Sequence, residues 1–371
     1  MKISVERAAL LKAMSRAQGV VERRTTIPIL SNVLLEASGD TLSIRATDLD
    51  VEVLETIPAM VEQAGATTAP AHMLHDIVRK LPDGAQAKLT DDGAGRLEVR
   101  AGRSDFRLAT LPKDDFPVMA SADYACHFQS KAGVLRRLFD KAKFAISTEE
   151  TRYYLNGVYM HLADGAEGKA LRCVATDGHR LARVDAPAPP GSDGMPGVIV
   201  PRKTVGELAK LLSDDEAVIE VGVSETKIRF ATDNIALVSK VIDGSFPDYT
   251  RVIPQGNPRR MEVDAAEFAK AVDRVATVSS ERSRAVKLAL SEDRLVLSVN
   301  APDSGAATEE LAVAYADEAM EIGFNAKYLL EIAGQVDREN AVFLLNGSGD
   351  PTLVREGDDE SAVYVVMPMR V

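Results

Sequence analysis

Asp177 and His179 lie two residues apart in Val174-Ala-Thr-Asp-Gly-His-Arg-Leu-Ala182, and the hydroxyl of Thr176 precedes the acid. A carboxylate, an imidazole and a hydroxyl are parts from which a hydrolytic site can be built. The chain carries an echo of this stretch, because Ala46-Thr-Asp48 follows a similar run of alternating apolar residues. Thr and Asp side chains also bond to nearby backbone and so make turns. A motif present twice, once without its histidine, points to strand-end turn chemistry. What the second copy adds is Gly178-His179-Arg180-Leu181, read as a turn or a binding surface. A hydrolase using Asp177 and His179 stands as the alternative. The sequence offers no nucleophile signature, phosphate-cradling glycine loop or metal-ligand spacing. With five His and two Cys, neither a metal site nor a cofactor is expected.

The elements that must position this stretch recur. Ile3-Ser-Val5 leads into Leu10, Met14 and Ala17; Phe128 leads into Leu135, Phe139 and Ala142; Met261-Glu-Val263 leads into Phe268, Val272 and Val275. Each is a short strand followed by a helix with one apolar face. Alternating strands follow at Leu42–Ala46, Leu171–Ala175 and Leu295–Val299, so each sheet has one face in a core. Second helices are expected at about Met73–Leu81, Val205–Leu212 and Tyr328–Val336. Closing strands are expected at Phe106–Leu111, Ile235–Ile242 and Ala362–Met367. The period is roughly 125 residues, a normal domain size. Ser and Asp collect near Met119–Tyr124, and Pro, Gly and Asn near Pro254–Pro258. The expected domains are therefore 1–122, 123–255 and 256–371. Ala186–Gly197 reads as a surface loop inside the second of these.

The chain is 46% hydrophobic and 27% charged, an ordinary globular balance. No apolar run approaches the roughly 20 residues that span a bilayer. Charge at Lys2, Glu6 and Arg7 argues against a signal peptide. Cys126 and Cys173 alone suit a reducing compartment, so the expected location is cytoplasmic. The net charge of −12 disfavours a uniformly basic nucleic-acid binder. The helices nevertheless carry an excess of base opposite their apolar stripes: Lys12 and Arg16, then Arg136, Arg137 and Lys141, then Lys270 and Arg274. The second helices add Arg79, Lys80, Lys203, Lys210 and Lys327. Acids gather elsewhere, as in Asp91-Asp92, Asp214-Asp215-Glu216 and Asp358-Asp359-Glu360. Either the charge is segregated into a basic face and an acidic remainder, or these are solvated faces of mixed sign.

Several motifs then stand in one order: Thr26-Ile-Pro-Ile-Leu30, Ala46-Thr-Asp-Leu-Asp50, Arg152-Tyr-Tyr-Leu-Asn-Gly157, Ala175–Ala182, Val198-Ile-Val-Pro-Arg-Lys203, Asp243-Gly-Ser-Phe-Pro-Asp-Tyr249 and Tyr364-Val-Val-Met-Pro-Met-Arg370. On a threefold repeat, they make the chain resemble the bacterial DNA sliding clamps over essentially its whole length. The resemblance implies an α+β fold of three repeated domains, each with two helices packed on antiparallel sheets. It implies a head-to-tail homodimer, a six-domain ring whose helices face duplex DNA and whose sheets form the outside. Contacts with phosphates carry no sequence information, which suits a ring that slides. The implied function is a polymerase processivity factor without catalytic residues or a cofactor. Its implied partners are DNA, the replicative polymerase, the clamp loader and other proteins with a clamp-binding peptide.

By the same resemblance the peptide pocket takes Arg152, Leu155, Thr176, Gly178, His179, Arg180, Leu181, Pro247, Val252 and Tyr328. Its other wall is Val365, Val366, Met367, Pro368, Met369 and Arg370; flexible Met side chains adapt to varied apolar ligands. DNA contacts fall on Arg24, Arg136, Arg137, Lys141, Tyr153, Tyr154, Arg202 and Lys203. Glu149 stands where the resemblance implies a neutral or basic DNA-facing residue, and His72-Met73 where basic side chains occur in some relatives. The dimer interface takes Arg103, Phe106, Arg107 and Leu108 against Thr277, Val278, Glu309 and Glu310. An exposed strand edge invites such pairing, and base against acid favours head-to-tail closure. A monomeric module gripping phosphates directly is the remaining alternative.

Overall fold

The computed structural model describes residues 1–120, 122–165, 168–279, 284–302 and 305–370. The first repeat runs β1 (Lys2–Glu6), α1 (Arg7–Val20), β2 (Asn32–Ser38), β3 (Thr41–Thr47), β4 (Val51–Pro58), β5 (Met60–Gln63), β6 (Gly65–Pro70), α2 (Ala71–Lys80), β7 (Gln86–Asp91), β8 (Arg96–Ala101) and β9 (Ser104–Ala109). The second runs β10 (Cys126–Lys131), α3 (Ala132–Lys143), β11 (Gly157–Gly165), β12 (Gly168–Thr176), β13 (Arg180–Pro187), β14 (Val198–Pro201), α4 (Arg202–Leu211), β15 (Val218–Val223), β16 (Lys227–Ala231) and β17 (Ile235–Lys240). The third runs β18 (Arg259–Asp264), α5 (Ala265–Ala276), β19 (Ala285–Ser291), β20 (Arg294–Ala301), β21 (Gly305–Ala312), β22 (Met320–Asn325), α6 (Ala326–Ala333), β23 (Asn340–Leu345), β24 (Thr352–Glu356) and β25 (Asp359–Val366).

Local chemistry accounts for these elements. Asp264 caps α5 by accepting from the Glu267 amide at 2.6 Å, which satisfies a donor that the first turn leaves free. Phe268, Ala271, Val272 and Val275 are then buried along one face, the 3.6-residue stripe that packs on a sheet. In β20, Leu295, Leu297 and Val299 are buried and alternate with more exposed neighbours. The second helices begin two or three residues before the expected positions, at Ala71, Arg202 and Ala326. The reason is that strand runs straight into helix. The Asn325 side chain, for example, caps α6 by accepting from the Lys327 amide at 2.9 Å.

All the paired strands are antiparallel, and their sheets ignore the boundaries of the repeats. An eight-stranded sheet has the order β10-β15-β16-β17-β4-β3-β2-β6, and another β14-β11-β12-β13-β25-β24-β23-β18. In the first, β17 of repeat two pairs with β4 of repeat one, Leu237 opposite Val53. In the second, β25 of repeat three pairs with β13 of repeat two, Tyr364 opposite Ala182. Smaller sheets run β5-β1-β7-β8-β9 and β21-β20-β19-β22. Because strands join across repeats, contacts divide the chain into two units that each cut through repeat two. One is Met1–Arg136, Pro189–Pro196 and Lys203–Val241; the other is Arg137–Ala188, Gly197–Arg202 and Ile242–Val371.

Two edges are the exceptions to this joining. Among the described residues, β9 pairs only with β8 and β21 only with β20. In the order of each repeat, β9 is the counterpart of β17 and β25, and β21 the counterpart of β4 and β13. The two strand types that join repeats elsewhere are therefore left unjoined, one at each end of the series.

Candidate functional site

The turn after β12 is held by its own side chains. Thr176 Oγ1 donates to the Arg180 carbonyl at 2.7 Å and accepts from the Gly178 amide at 3.1 Å. Asp177 Oδ1 accepts from the amides of His179 at 2.9 Å and Arg180 at 3.0 Å. Gly178 has φ +87°, a conformation that glycine adopts without steric cost. The Asp177 carboxylate thus serves backbone amides and, through Oδ2, the Arg180 guanidinium at 3.1 Å. It is not arranged as the orienting group of a hydrolytic dyad. Among the described residues, no group of three or more His, Cys, Asp or Glu is placed to hold a metal ion.

Arg180 is the anchor of the site. It is buried, donates to the Phe144 carbonyl at 2.7 Å and forms an ion pair with Glu331 of α6. Its guanidinium lies 4.4 Å from the Tyr328 ring centroid and 5.3 Å from that of Phe144. Cation–π contacts of this kind strengthen as water is removed. Tyr328 in turn stacks on His179, with centroids 6.3 Å apart and planes at 21°. Phe144 and Glu331 were not foreseen. Glu331 stands one turn beyond Tyr328 on α6, which was the available signal.

β25 lies directly beside the turn. Arg180 is opposite Val366 and Leu181 opposite Val365, and the Met367 amide donates to the His179 carbonyl at 2.9 Å. The tail is pinned again where the Met369 amide donates to the Gly323 carbonyl at 2.8 Å. Beneath them, Val174, Leu181, Tyr249, Ile253, Leu353, Val363 and Val365 form one buried cluster, with Phe246 packed against it. Below this cluster, His161 Nε2 lies 3.0 Å from the Tyr249 hydroxyl, which also accepts from Arg172 at 3.2 Å. Burial holds the His161 pKa below the ordinary histidine value, so the neutral ring is favoured.

What faces outward is a mixed apolar and polar surface. Val252 is 50% exposed, Met367 38% and Met369 37%. Gly178, His179, Pro247 and Arg370 are also exposed, with Tyr328 and Pro368 half-buried. Arg152 leans over Gly178: a Cβ there would come within 2.6 Å of Arg152 Nη1. It is held by two hydrogen bonds to Glu149, at 2.8 and 2.6 Å, and this donation holds the Glu149 carboxyl below the usual range. Six of the expected pocket residues are buried instead. Thr176 is committed to its own turn, and Leu155, Leu181, Val365 and Val366 pack in the core, Val365 and Val366 on opposite faces of a strand that is buried on both sides. Arg180 is likewise interior and acts through Tyr328 and the turn.

The basic residues divide in the same way. Arg24 and Arg202 are exposed, as is Tyr153, which meets Tyr154 edge-on at 5.8 Å. Arg136 is half-buried against Asp215. Arg137 is half-buried and donates to the Asp185 carbonyl at 3.1 Å and to Ser361 at 2.6 Å. Lys141, expected among the DNA contacts, is interior. Its side chain is 7% exposed and ion-paired to Glu356 at 2.6 Å and Asp337 at 2.8 Å. Lys203 is likewise committed, to Asp48 at 2.6 Å, to Glu22 and to the Val20 carbonyl at 2.8 Å. Burial opposes its charge, but the bonds to Asp48 and Glu22 prevail and raise its pKa.

On the free edges, Arg103 and Arg107 are exposed and Phe106 half-buried on the β9 side. Leu108 points inward and is buried, so its side chain packs within its own sheet. Near β21, Thr277 is exposed and Val278 half-buried. Glu309 and Glu310 already pair within the chain, with Arg274 and Arg294.

Comparison with known proteins gives one family. Patterns described as the N-terminal, central and C-terminal domains of the DNA polymerase III beta subunit match residues 1–120, 129–248 and 250–370. The Beta sliding clamp of Caulobacter vibrioides is 52% identical over 372 residues, covering 100% of both chains. That of Escherichia coli K12 is 38% identical over 375 residues, again 100% of both. A crystal structure of the Bartonella birtlesii sliding clamp bound to griselimycin matches at TM-score 0.96 and 50% identity, covering 100% of each chain. One from Pseudomonas aeruginosa, with ligand, matches at TM-score 0.92 and 39% identity, with the same coverage.

Proposed function

The chain belongs to the DNA polymerase III beta subunit family, and we propose that two copies close head to tail into a six-repeat ring around duplex DNA. Membership makes it a polymerase processivity factor, which binds DNA and the polymerase and catalyses nothing itself. The observation that carries the ring is the pair of unjoined edges. Each internal joint pairs a β17-type strand with a β4-type strand. The β9 edge of one copy and the β21 edge of the other are the missing members of a third such joint. Carrying the internal registers over places Phe106 of one copy opposite Ala307 of the other, and Arg103 opposite Glu310. Two chains then make two such joints and leave no β9 or β21 edge open, which is closed symmetry.

In this reading the repeats are domains 1–122, 123–255 and 256–371, and the three family patterns support the division. Arg24, Arg136, Arg137, Arg202, Tyr153 and Tyr154 are the DNA contacts. Aromatic faces stack on single-stranded bases, and the cations meet phosphates regardless of sequence. The surface of Arg152, Gly178, His179, Pro247, Val252, Tyr328 and Met367–Arg370 receives short peptides from the polymerase and the loader. Apolar walls with a few polar anchors suit such a ligand. No helix among the described residues is long and apolar enough to cross a membrane, and we place the protein in the cytoplasm.

The test is loading onto nicked circular DNA with a bacterial clamp loader and ATP, followed by a high-salt wash and linearisation. Retention through salt and release on cutting the circle is the expected result. Phosphate contacts alone weaken steeply with salt, so loss in the wash would replace the ring with an open electrostatic binder.

A further inference from the structure

The helix position held by Arg16 in α1 recurs as Lys141 in α3 and Arg274 in α5, and in each repeat it is ion-paired. Arg16 takes Glu55 of β4 at 2.7 Å. Arg274 takes Glu309 of β21, with Nε at 3.0 Å from Oε2. Glu55 and Glu309 occupy the same place: each is the fifth residue of its eight-residue strand, opposite Ile44 in β3 and Leu297 in β20. The same ion pair is thus built twice, but its surroundings differ. At the first joint Ile235 of β17 sits opposite Glu55, and the Arg16 and Glu55 side chains are 11% and 5% exposed. At the open edge the Arg274 and Glu309 side chains are 58% and 25% exposed.

We infer that Arg274 and Glu309 form a preassembled ion pair that is buried when the β9 edge of a second copy joins β21, with Arg274 positioning the carboxylate. The inference rests on the ring reading and adds a device to it. In the carried-over register Ser104 of the second copy takes the place that Ile235 holds over Glu55. Burial raises the Glu55 carboxyl despite Arg16, whereas donation from Arg274 holds Glu309 below the usual range. A carboxylate covered without its cation is strongly unfavourable, while removing both charges from a covered pair is often neutral or better. An ion pair that stays in solvent contributes little either way.

The experiment is the dimer dissociation constant of the full chain by analytical ultracentrifugation, for the parent, Arg274→Gln and the double variant Arg274→Met/Glu309→Met. Arg274→Gln is expected to weaken the dimer at least tenfold, and the double variant to recover the parent affinity within about threefold. Arg274→Lys, which keeps the charge, is expected to fall between parent and Gln variant and covers the case in which the Gln variant folds poorly. Thermal melts of each variant report folding separately. A dimeric parent whose affinity shifts less than twofold in Arg274→Gln overturns the inference alone, as does a double variant no tighter than the single. A parent that stays monomeric overturns the ring reading and this inference with it.

Discussion

The turns after β3 and β12 are built from the same parts. Thr47 Oγ1 donates to the Val51 carbonyl at 2.9 Å and accepts from the Leu49 amide at 3.0 Å, as Thr176 does with Arg180 and Gly178. Asp48 Oδ1 accepts from the amides of Asp50 and Val51 at 2.9 and 2.7 Å, as Asp177 does with His179 and Arg180. Even the backbone agrees, with φ +81° at Leu49 and +87° at Gly178. The difference lies in what each aspartate and its neighbour reach. Asp48 holds the half-exposed Lys203, and that turn ends as a tie. Asp177 holds the buried Arg180, which carries Tyr328 and Glu331 with it, and that turn becomes a platform for His179. One local motif therefore supports either a joint or a binding surface, depending on the residue four places after the threonine.

The strongest way to break the comparison is to remove each cation. Arg180→Ala removes the buried guanidinium that pairs with both Asp177 and Glu331 and is expected to destabilise its unit by about 3 kcal/mol in denaturant unfolding. It should also weaken binding of a polymerase-derived clamp-binding peptide. Lys203→Ala removes a half-exposed tie and should cost about 1 kcal/mol or less, with peptide binding unchanged. Equal losses in the two variants would mean that the turns do not differ as described.

A sharper test exchanges the residues at positive φ. Gly178→Ala meets both the strained backbone and Arg152 Nη1, so a loss of about 2 kcal/mol is expected. Leu49→Gly relieves strain at an exposed position and should be neutral or stabilising by up to about 1 kcal/mol. Thermal midpoints of both variants check the opposite signs.

The smallest effect is with pH. Each unit holds a histidine whose pKa is lowered chiefly by burial, His75 in one and His161 in the other. Between the ordinary histidine value of about 6.5 and these lowered values, the unfolded chain binds protons that the folded chain does not. Stability should therefore fall as pH drops through that window and level off below it. Hydrogen exchange followed from pH 7 to pH 5 should loosen both units, and His161→Gln should flatten the change in its own unit only.

How much of this was legible in sequence follows from the range of the interactions. The threefold repeat, the alternating strands and the apolar helix stripes are local patterns, so they were visible without coordinates. The echo of Ala-Thr-Asp also read correctly as turn chemistry, because Thr and Asp bond within five residues of themselves. The helix bases were less transparent. A base opposite an apolar stripe reads as a cation facing open solvent, yet Arg16 and Lys141 are ion-paired and interior. Their partners lie 39 and 215 residues away, and no pattern within a helix records that distance. Val365, Val366 and Leu181 show the same limit: they stand in the right segments, but their burial depends on what packs on each face of the sheet, and both faces of β25 are covered at Val365 and Val366.

The sequence alone determined the repeat, its elements and the family, since these rest on periodicity and ordered motifs. Only the tertiary structure decided which charges are already neutralised, which strand edges stay open and how one turn differs from its copy. Those depend on desolvation and on partners brought together across the sheets, and neither is a property of any one stretch of chain.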